Sequence, residues 1–101
     1  MLIAIPVDKP DSNEALITTQ IEANCWAVVS FEEGKIESIE FYKTLQEADI
    51  DWLDFVVLKN KFENYLNFME EGSMVLVVRD QDSIEEIIEA FKFKELDEIG
   101  L

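Results

Sequence analysis

The first feature of this 101-residue chain is the set of residue types that it lacks or nearly lacks. It has no histidine, one cysteine, three glycines, two prolines, and only 8 basic residues against 23 acidic ones. Without histidine there is no imidazole to serve as a catalytic base or a metal ligand. One cysteine forms no internal disulfide, which is typical of a reducing cytoplasm, and three glycines leave no glycine-rich phosphate loop.

The charge balance limits the partners that we expect. The formal net charge is −15, which repels nucleic-acid phosphates and anionic membrane surfaces. We therefore expect no nucleic-acid binding, whereas a basic protein partner or a cation is compatible with this charge. The first apolar run is too short for a signal peptide or a membrane span. We expect a cytoplasmic protein without membrane association, folded as a single domain over residues 1–101, and the oligomeric state stays open.

Five short apolar runs predict five β-strands. The run LIAIPV is continuously apolar, which is typical of a strand buried on both faces. Two later runs joined by Glu33 and Gly34 predict a β-hairpin, and the alternating charges of the second run indicate an edge strand. The predicted strands cover residues 2–7, 25–31, 35–42, 53–59 and 73–79.

The segment NKFENYLNFMEEG, residues 60–72, has the spacing of an amphipathic helix. Asn60 is a candidate N-cap with Glu63 three residues later, and Gly72 is a natural C-terminal stop. The apolar stripe consists of Phe62, Tyr65, Leu66 and Met69.

A second helix is predicted to begin at Ser83, which forms a capping box with Glu86. After it comes an apolar tail that either covers the sheet as an extension of the helix or presents a stripe to a partner, and we favour covering. The helix stripe is Ile84, Ile87, Ile88 and Phe91, and the tail residues are Phe93, Leu96, Ile99 and Leu101.

The order of these elements predicts an α/β fold. The second half reads β-α-β-α, which requires a parallel strand pair joined by a right-handed crossover. The connector over residues 43–52 has room for one helical turn, so the first crossover helix is expected to be shortened or absent. The result is a mixed five-stranded sheet with an antiparallel N-terminal hairpin and helices packed on it.

Four segments resemble the dinitrogenase iron–molybdenum cofactor biosynthesis family. They are IAIPVD at the start, the hairpin AVVSFEEGKIESIEF, the strand LDFVVL and the final helix DSIEEIIEAFK. The resemblance implies a ribonuclease H-like architecture, in which the second strand is antiparallel to its neighbours. It also implies binding or carrying of an iron–sulfur or iron–molybdenum type cluster for nitrogenase or a related system.

The loop that carries the family's ligand chemistry differs in this chain. Family members usually have a Ser-x-His-Phe-Gly type loop before the second strand, where this chain has ITTQIEANC. Depending on the register, Thr19 or Gln20 stands where the resemblance places the histidine. The glycine-containing loop after the strand LDFVVL is replaced by KNKFEN, and the resident cofactor therefore stays unknown.

Five residues are the candidates for cofactor binding. They are Cys25, Thr19, Gln20, Lys59 and Lys61. One thiolate does not make a metal site, and a cysteine at the start of a strand is more often a buried hydrophobe. The two lysines would favour an anion beside a helix N-terminus, although exposed lysines are common. No catalytic residue is assigned, and metal ligands stay unknown.

Three carboxylates, Asp8, Asp11 and Glu14, follow the first strand, where α/β sheets often bind ligands. Their spacing does not match a calcium loop, and turn formation also explains them.

These observations favour a small non-catalytic accessory or binding protein related to the cofactor carriers. The alternative is a protein-interaction module without a metallocofactor, which engages a basic partner through its acidic surface or its C-terminal tail. An enzyme is disfavoured because no base, nucleophile and metal ligands can be assembled from these residues.

Overall fold

The computed structural model describes residues 1–99, and within them a six-stranded mixed sheet forms the centre of the molecule. Its order is β3-β2-β1-β4-β5-β6, with β4 parallel to β1 and β5 parallel to β4. The strand β2 is antiparallel to both neighbours, and β3 lies at an edge, as expected. The bounds are β1 (Leu2–Val7), β2 (Cys25–Glu32), β3 (Lys35–Tyr42), β4 (Phe55–Leu58), β5 (Met74–Val77) and β6 (Asp97–Ile99).

The prediction of a five-stranded sheet is wrong by one strand. The helix α2 (Ile84–Lys92) ends before Lys94, whose φ of 57° is left-handed, and the chain then reverses. The reversal lets β6 pair antiparallel with β5. The tail therefore does not extend the helix: Leu96 is buried in the core, whereas Phe93 is 66% exposed. Leu101 lies outside the described residues.

The first helix, α1 (Leu66–Glu70), is much shorter than the predicted helix over residues 60–72. Asn60 Oδ1 accepts the backbone N–H of Phe62, and the carboxylate of Glu63 accepts the N–H of Asn60. Short polar side chains that bond the local backbone offer it an alternative to the helix. Gly72 follows the helix with a φ of 91°, in agreement with the predicted stop.

The connection between β3 and β4 contains a single 3-10 turn, Gln46–Ala48, in place of a crossover helix. This agrees with the expectation that the first crossover helix is shortened or absent. The N-terminus of α2 also agrees with its prediction. Ser83 Oγ accepts the N–H of Glu86, whose side chain accepts the N–H of Ser83, and these hydrogen bonds lower the pKa of the Glu86 carboxyl.

The two faces of the sheet are covered by different elements. The helix α2 packs on one face through Ile84, Ile87 and Ile88, which are all buried. The opposite face is covered by α1 and by the end of the connection before β4. Because both faces are covered, β1 is buried along almost its whole length, as its continuous apolar run predicts.

Candidate functional site

The candidate site lies where β1 and β4 end. These two strands are parallel neighbours, and the chain leaves them in opposite directions, toward β2 on one side and toward β5 on the other. In open α/β sheets such a switch point creates a crevice at the carboxyl ends of the strands, and ligands commonly bind there. The loops that border it are residues 8–24, which follow β1, and residues 59–65, which follow β4.

The segment Leu16–Thr18 occupies this crevice. The ladder between β1 and β4 has only two residue pairs and ends at Ala4. The next carbonyl of β1 on that side belongs to Pro6 and accepts the N–H of Thr18 at 2.9 Å, while Asp8 N donates to Leu16 O at 3.1 Å. The 16–18 segment therefore lies beside the C-terminal end of β1, on the same side on which β4 pairs with Ile3 and Ala4.

The 16–18 segment is also bonded on its other side. Ile17 N donates to Asp82 O at 2.8 Å, and Leu16 forms an isolated bridge with Ser83 just before α2. Ala15 and Ile17 are 1% and 3% exposed. Backbone hydrogen bonds on both sides and the buried side chain of Ile17 make this segment part of the folded core.

The proline in β1 is the sequence signal for this arrangement. A proline in a central strand removes one donor from the ladder and is therefore rare there. The nitrogen of Pro6 faces the β4 side of β1, where the ladder with β4 has ended at Ala4 and no donor is needed. The carbonyl of Pro6 on the same side accepts the N–H of Thr18. Sequence reasoning passed over this residue, although a proline within LIAIPV indicates that pairing is interrupted at that point.

The carboxylate of Glu63 joins the two loops that border the crevice. Its Oε1 accepts the N–H of Gln20 at 2.8 Å, and its Oε2 accepts the N–H groups of Lys59 and Asn60, each at 3.1 Å. The side-chain amide of Gln20 adds a bond to the carbonyl of Asn64 at 3.0 Å. Glu63 was considered only as a helix-capping residue, and its link to a loop 43 residues away is visible only in three dimensions.

Of the residues aligned with the family's ligand loop, Gln20 is used in the link to Glu63. Thr19 makes a local turn, because its Oγ1 donates to the carboxylate of Glu22 at 2.9 Å and accepts the N–H of the same residue at 3.3 Å. Both side chains therefore already have partners within the chain.

Cys25 lies on the other side of β1 from the crevice. It is the first residue of β2, pairs with Val7 in the ladder, and is 6% exposed. Burial, with a smaller contribution from the negative charge of Asp8, raises the pKa of the thiol. The thiolate is the form that binds metals and acts as a nucleophile, and a raised pKa disfavours it at neutral pH.

The carboxylates that follow β1 act in turns of the same loop. Asp8 Oδ1 accepts the N–H of Leu16 at 2.9 Å, and Asp11 Oδ1 accepts those of Asn13 and Glu14 at 2.8 and 3.1 Å. In residues 1–99 no group of three or more potential ligands among histidine, cysteine, aspartate and glutamate is arranged to hold a metal ion. A cluster needs several thiolates, so this donor set does not fit an iron–sulfur-type group.

Lys59 and Lys61 are the remaining sequence candidates, and both are exposed on the 59–65 loop. The structure places this loop next to Gln20 through Glu63, so four of the five candidates, all except Cys25, lie on joined loops. Lys61 Nζ lies 5.6 Å from the centroid of the Phe62 ring.

Among residues 1–99 no helix is long and apolar enough to cross a membrane.

Fold and site together define a small α/β domain whose switch-point crevice is filled by its own chain. No protein-family model matches the chain, and no curated protein does either. Solved structures do match. A crystal structure from Methanocaldococcus jannaschii, described as a "putative dinitrogenase", superposes with a TM-score of 0.78 at 18% identity, over 99% of this chain and 95% of that one.

A second similar structure was solved by NMR. It comes from Thermotoga, is described as a "putative NifB protein" of the DUF35 family, and gives a TM-score of 0.67 at 20% identity over 96% of this chain and 91% of that one. The resemblance to the dinitrogenase iron–molybdenum cofactor biosynthesis family is thereby confirmed as a likeness of fold.

Proposed function

We propose that this chain is a non-catalytic binding protein of ribonuclease H-like architecture, related to the cofactor carriers, which acts through protein contacts and holds no iron–sulfur-type cluster. The observation that carries the proposal is the 16–18 segment, which fills the crevice where a ligand of this fold would enter. Opening the crevice would break backbone hydrogen bonds to Pro6 and Asp82 and expose Ile17, so a ligand would first have to displace folded chain.

The chemistry of the remaining donors supports the same conclusion. Cys25 is buried with a raised thiol pKa, and the Thr19 hydroxyl and the side-chain NH₂ of Gln20 are hydrogen-bonded within the chain. The carboxylates of Asp8 and Asp11 hold backbone N–H groups. The described donors at or near the crevice are isolated oxygens and one buried thiol, which is not the set of several thiolates that a cluster requires.

Anaerobic reconstitution tests this proposal. The purified chain is incubated with ferrous iron, sulfide and a reductant, desalted, and analysed for iron and for visible absorption. We expect no retained iron, no cluster absorption, and identical behaviour of a Cys25→Ala variant. Retention of iron in a fixed ratio to protein, lost in the Cys25→Ala variant, would show that the chain is a cluster carrier and would overturn the proposal.

A further inference from the structure

The groove between the 59–65 loop and the end of β5 differs in charge from the rest of the molecule. It has a volume of about 820 Å³ and includes Lys59, Lys61 and Arg79, three of the 8 basic residues of the chain. Its acidic residues are Asp97 and Glu98, so the groove carries three positive and two negative side chains on a chain with a net charge of −15. We call this surface the cationic groove.

The positive charges of the cationic groove are largely available. Arg79 Nε forms an ion pair with Asp97 at 3.0 Å, and both side chains are more than half exposed. Exposed pairs of this kind contribute little and exchange readily. Within residues 1–99 neither Lys59 nor Lys61 forms an ion pair.

An exposed aromatic ring lies beside these charges. Phe62 is 86% exposed, although it was predicted to face the core as part of a helix. The remaining lining consists of Asn60 and the apolar residues Val77, Val78 and Ile99. Aromatic residues and arginine are enriched at protein-binding surfaces, and Phe62 and Arg79 are residues of these types.

Side-chain hydrogen bonds of Glu63 and Asn60 fix the backbone of the loop that carries Phe62. Glu63 accepts N–H groups from Lys59, Asn60 and Gln20, and Asn60 Oδ1 accepts the N–H of Phe62 at 3.0 Å. The ring is therefore presented outward by a loop with its own hydrogen bonds. A preorganised loop loses less conformational entropy when it binds.

We infer that the cationic groove binds an acidic peptide segment of a partner protein that carries an aromatic or large aliphatic residue. The carboxylates would contact Lys59, Lys61 and Arg79, and the apolar residue would pack on Phe62. The groove is open along one side and has no buried polar side chain in its lining, which favours a chain segment over an enclosed small molecule. This partner differs from the basic one that the overall charge favours.

The net charge of the chain does not prevent this contact. The Debye length is about 8 Å at physiological ionic strength, so acidic residues on distant faces are largely screened at the groove. A nucleic acid is a poorer fit than a short peptide, because its phosphates extend beyond the groove over the acidic surface. The inference extends the proposed binding role, and its test involves no metal, so the two proposals can fail separately.

Fluorescence anisotropy with the full chain tests the inference. The probe is a labelled synthetic peptide rich in glutamate with a central phenylalanine, and the control probe has glutamine at every glutamate. We expect the acidic probe to bind and to weaken with added salt. The double variant Lys59→Gln, Lys61→Gln and the variant Phe62→Ser should each lose about tenfold in affinity, which corresponds to about 1.4 kcal/mol. The matched control Lys9→Gln, Lys43→Gln changes two exposed lysines outside the groove and should bind within about twofold of the unmodified chain.

Four results would overturn the inference. The first is no binding of the acidic probe to the unmodified chain, and the second is equal binding of the glutamine probe. The third is an equal loss in the control double variant, which would assign any binding to general charge. Tighter binding of a single-stranded oligonucleotide than of the peptide would likewise reject a peptide site. Circular dichroism of each variant confirms that these exposed substitutions leave the fold intact.

Discussion

The half-buried Glu63 should contribute more to stability than the other glutamates in loops, because its carboxylate accepts three backbone N–H groups from two loops. A net contribution of about 1 kcal/mol per hydrogen bond gives a loss of about 2–3 kcal/mol for Glu63→Ala. In Glu63→Gln the amide oxygen can still accept from Lys59 and Asn60, while the amide NH₂ faces the N–H of Gln20. We therefore expect an intermediate loss of about 1–2 kcal/mol for Glu63→Gln.

Urea unfolding followed by circular dichroism measures these losses, with the m-value as a check on two-state behaviour. Glu70→Ala is the matched control, since Glu70 is an exposed glutamate at the end of α1. Amide hydrogen exchange gives a second measurement, because the N–H groups of Gln20, Lys59 and Asn60 should exchange faster in Glu63→Ala. If Glu63→Ala and Glu70→Ala lose the same stability, the link between the two loops does not have the role argued above.

Three further outcomes are expected. Gly72→Ala and Gly34→Ala should each lose about 1 kcal/mol by urea unfolding, because both glycines have positive φ. A Cβ at Gly72 would lie 2.8 Å from the outer edge of the exposed Trp52 ring, which can turn aside, and unchanged stability of either variant would contradict this reasoning. Hydrogen bonds at the N-cap of α2 lower the folded-state pKa of Glu86, so its contribution is present above the unfolded pKa and is lost as pH falls through the folded value. A Glu86→Gln variant should therefore lose less stability than the unmodified chain on acidification below about pH 4.5, and parallel pH profiles would refute this. Because burial raises the thiol pKa of Cys25, Ellman's reagent at pH 8 should label the native chain far more slowly than the urea-unfolded chain, and equal rates would show that the thiol is accessible.

Local interactions explain which elements were predicted correctly. Glu33 and Gly34 both adopt positive φ and close the hairpin of β2 and β3, so the turn is specified by adjacent residues. The capping box of Ser83 and Glu86 spans a single helical turn. The continuous apolar runs of β1, β4 and β5 follow from burial on two faces, which a linear pattern records directly.

The errors occur where distant residues decide between local alternatives. The apolar spacing over residues 60–72 is compatible with a long helix, but Glu63 bonds Gln20, which lies 43 residues away, and the helix begins only at Leu66. The tail after α2 is too short and too charged to read as a strand, and β6 forms because the free edge of β5 is available to it.

The amino-acid sequence alone is sufficient to indicate the α/β class, the antiparallel hairpin, the parallel strand pair and the absence of histidine chemistry, because each depends on composition or on neighbouring residues. It does not reveal that Leu16–Thr18 closes the crevice beside β1. That arrangement depends on hydrogen bonds from Thr18 to Pro6 and from Ile17 to Asp82, which form only when β1, the following loop and α2 have been brought together. Nearly every residue has the same backbone N–H and C=O groups, so the sequence does not indicate which distant groups will pair. Their pairing depends on the packed fold.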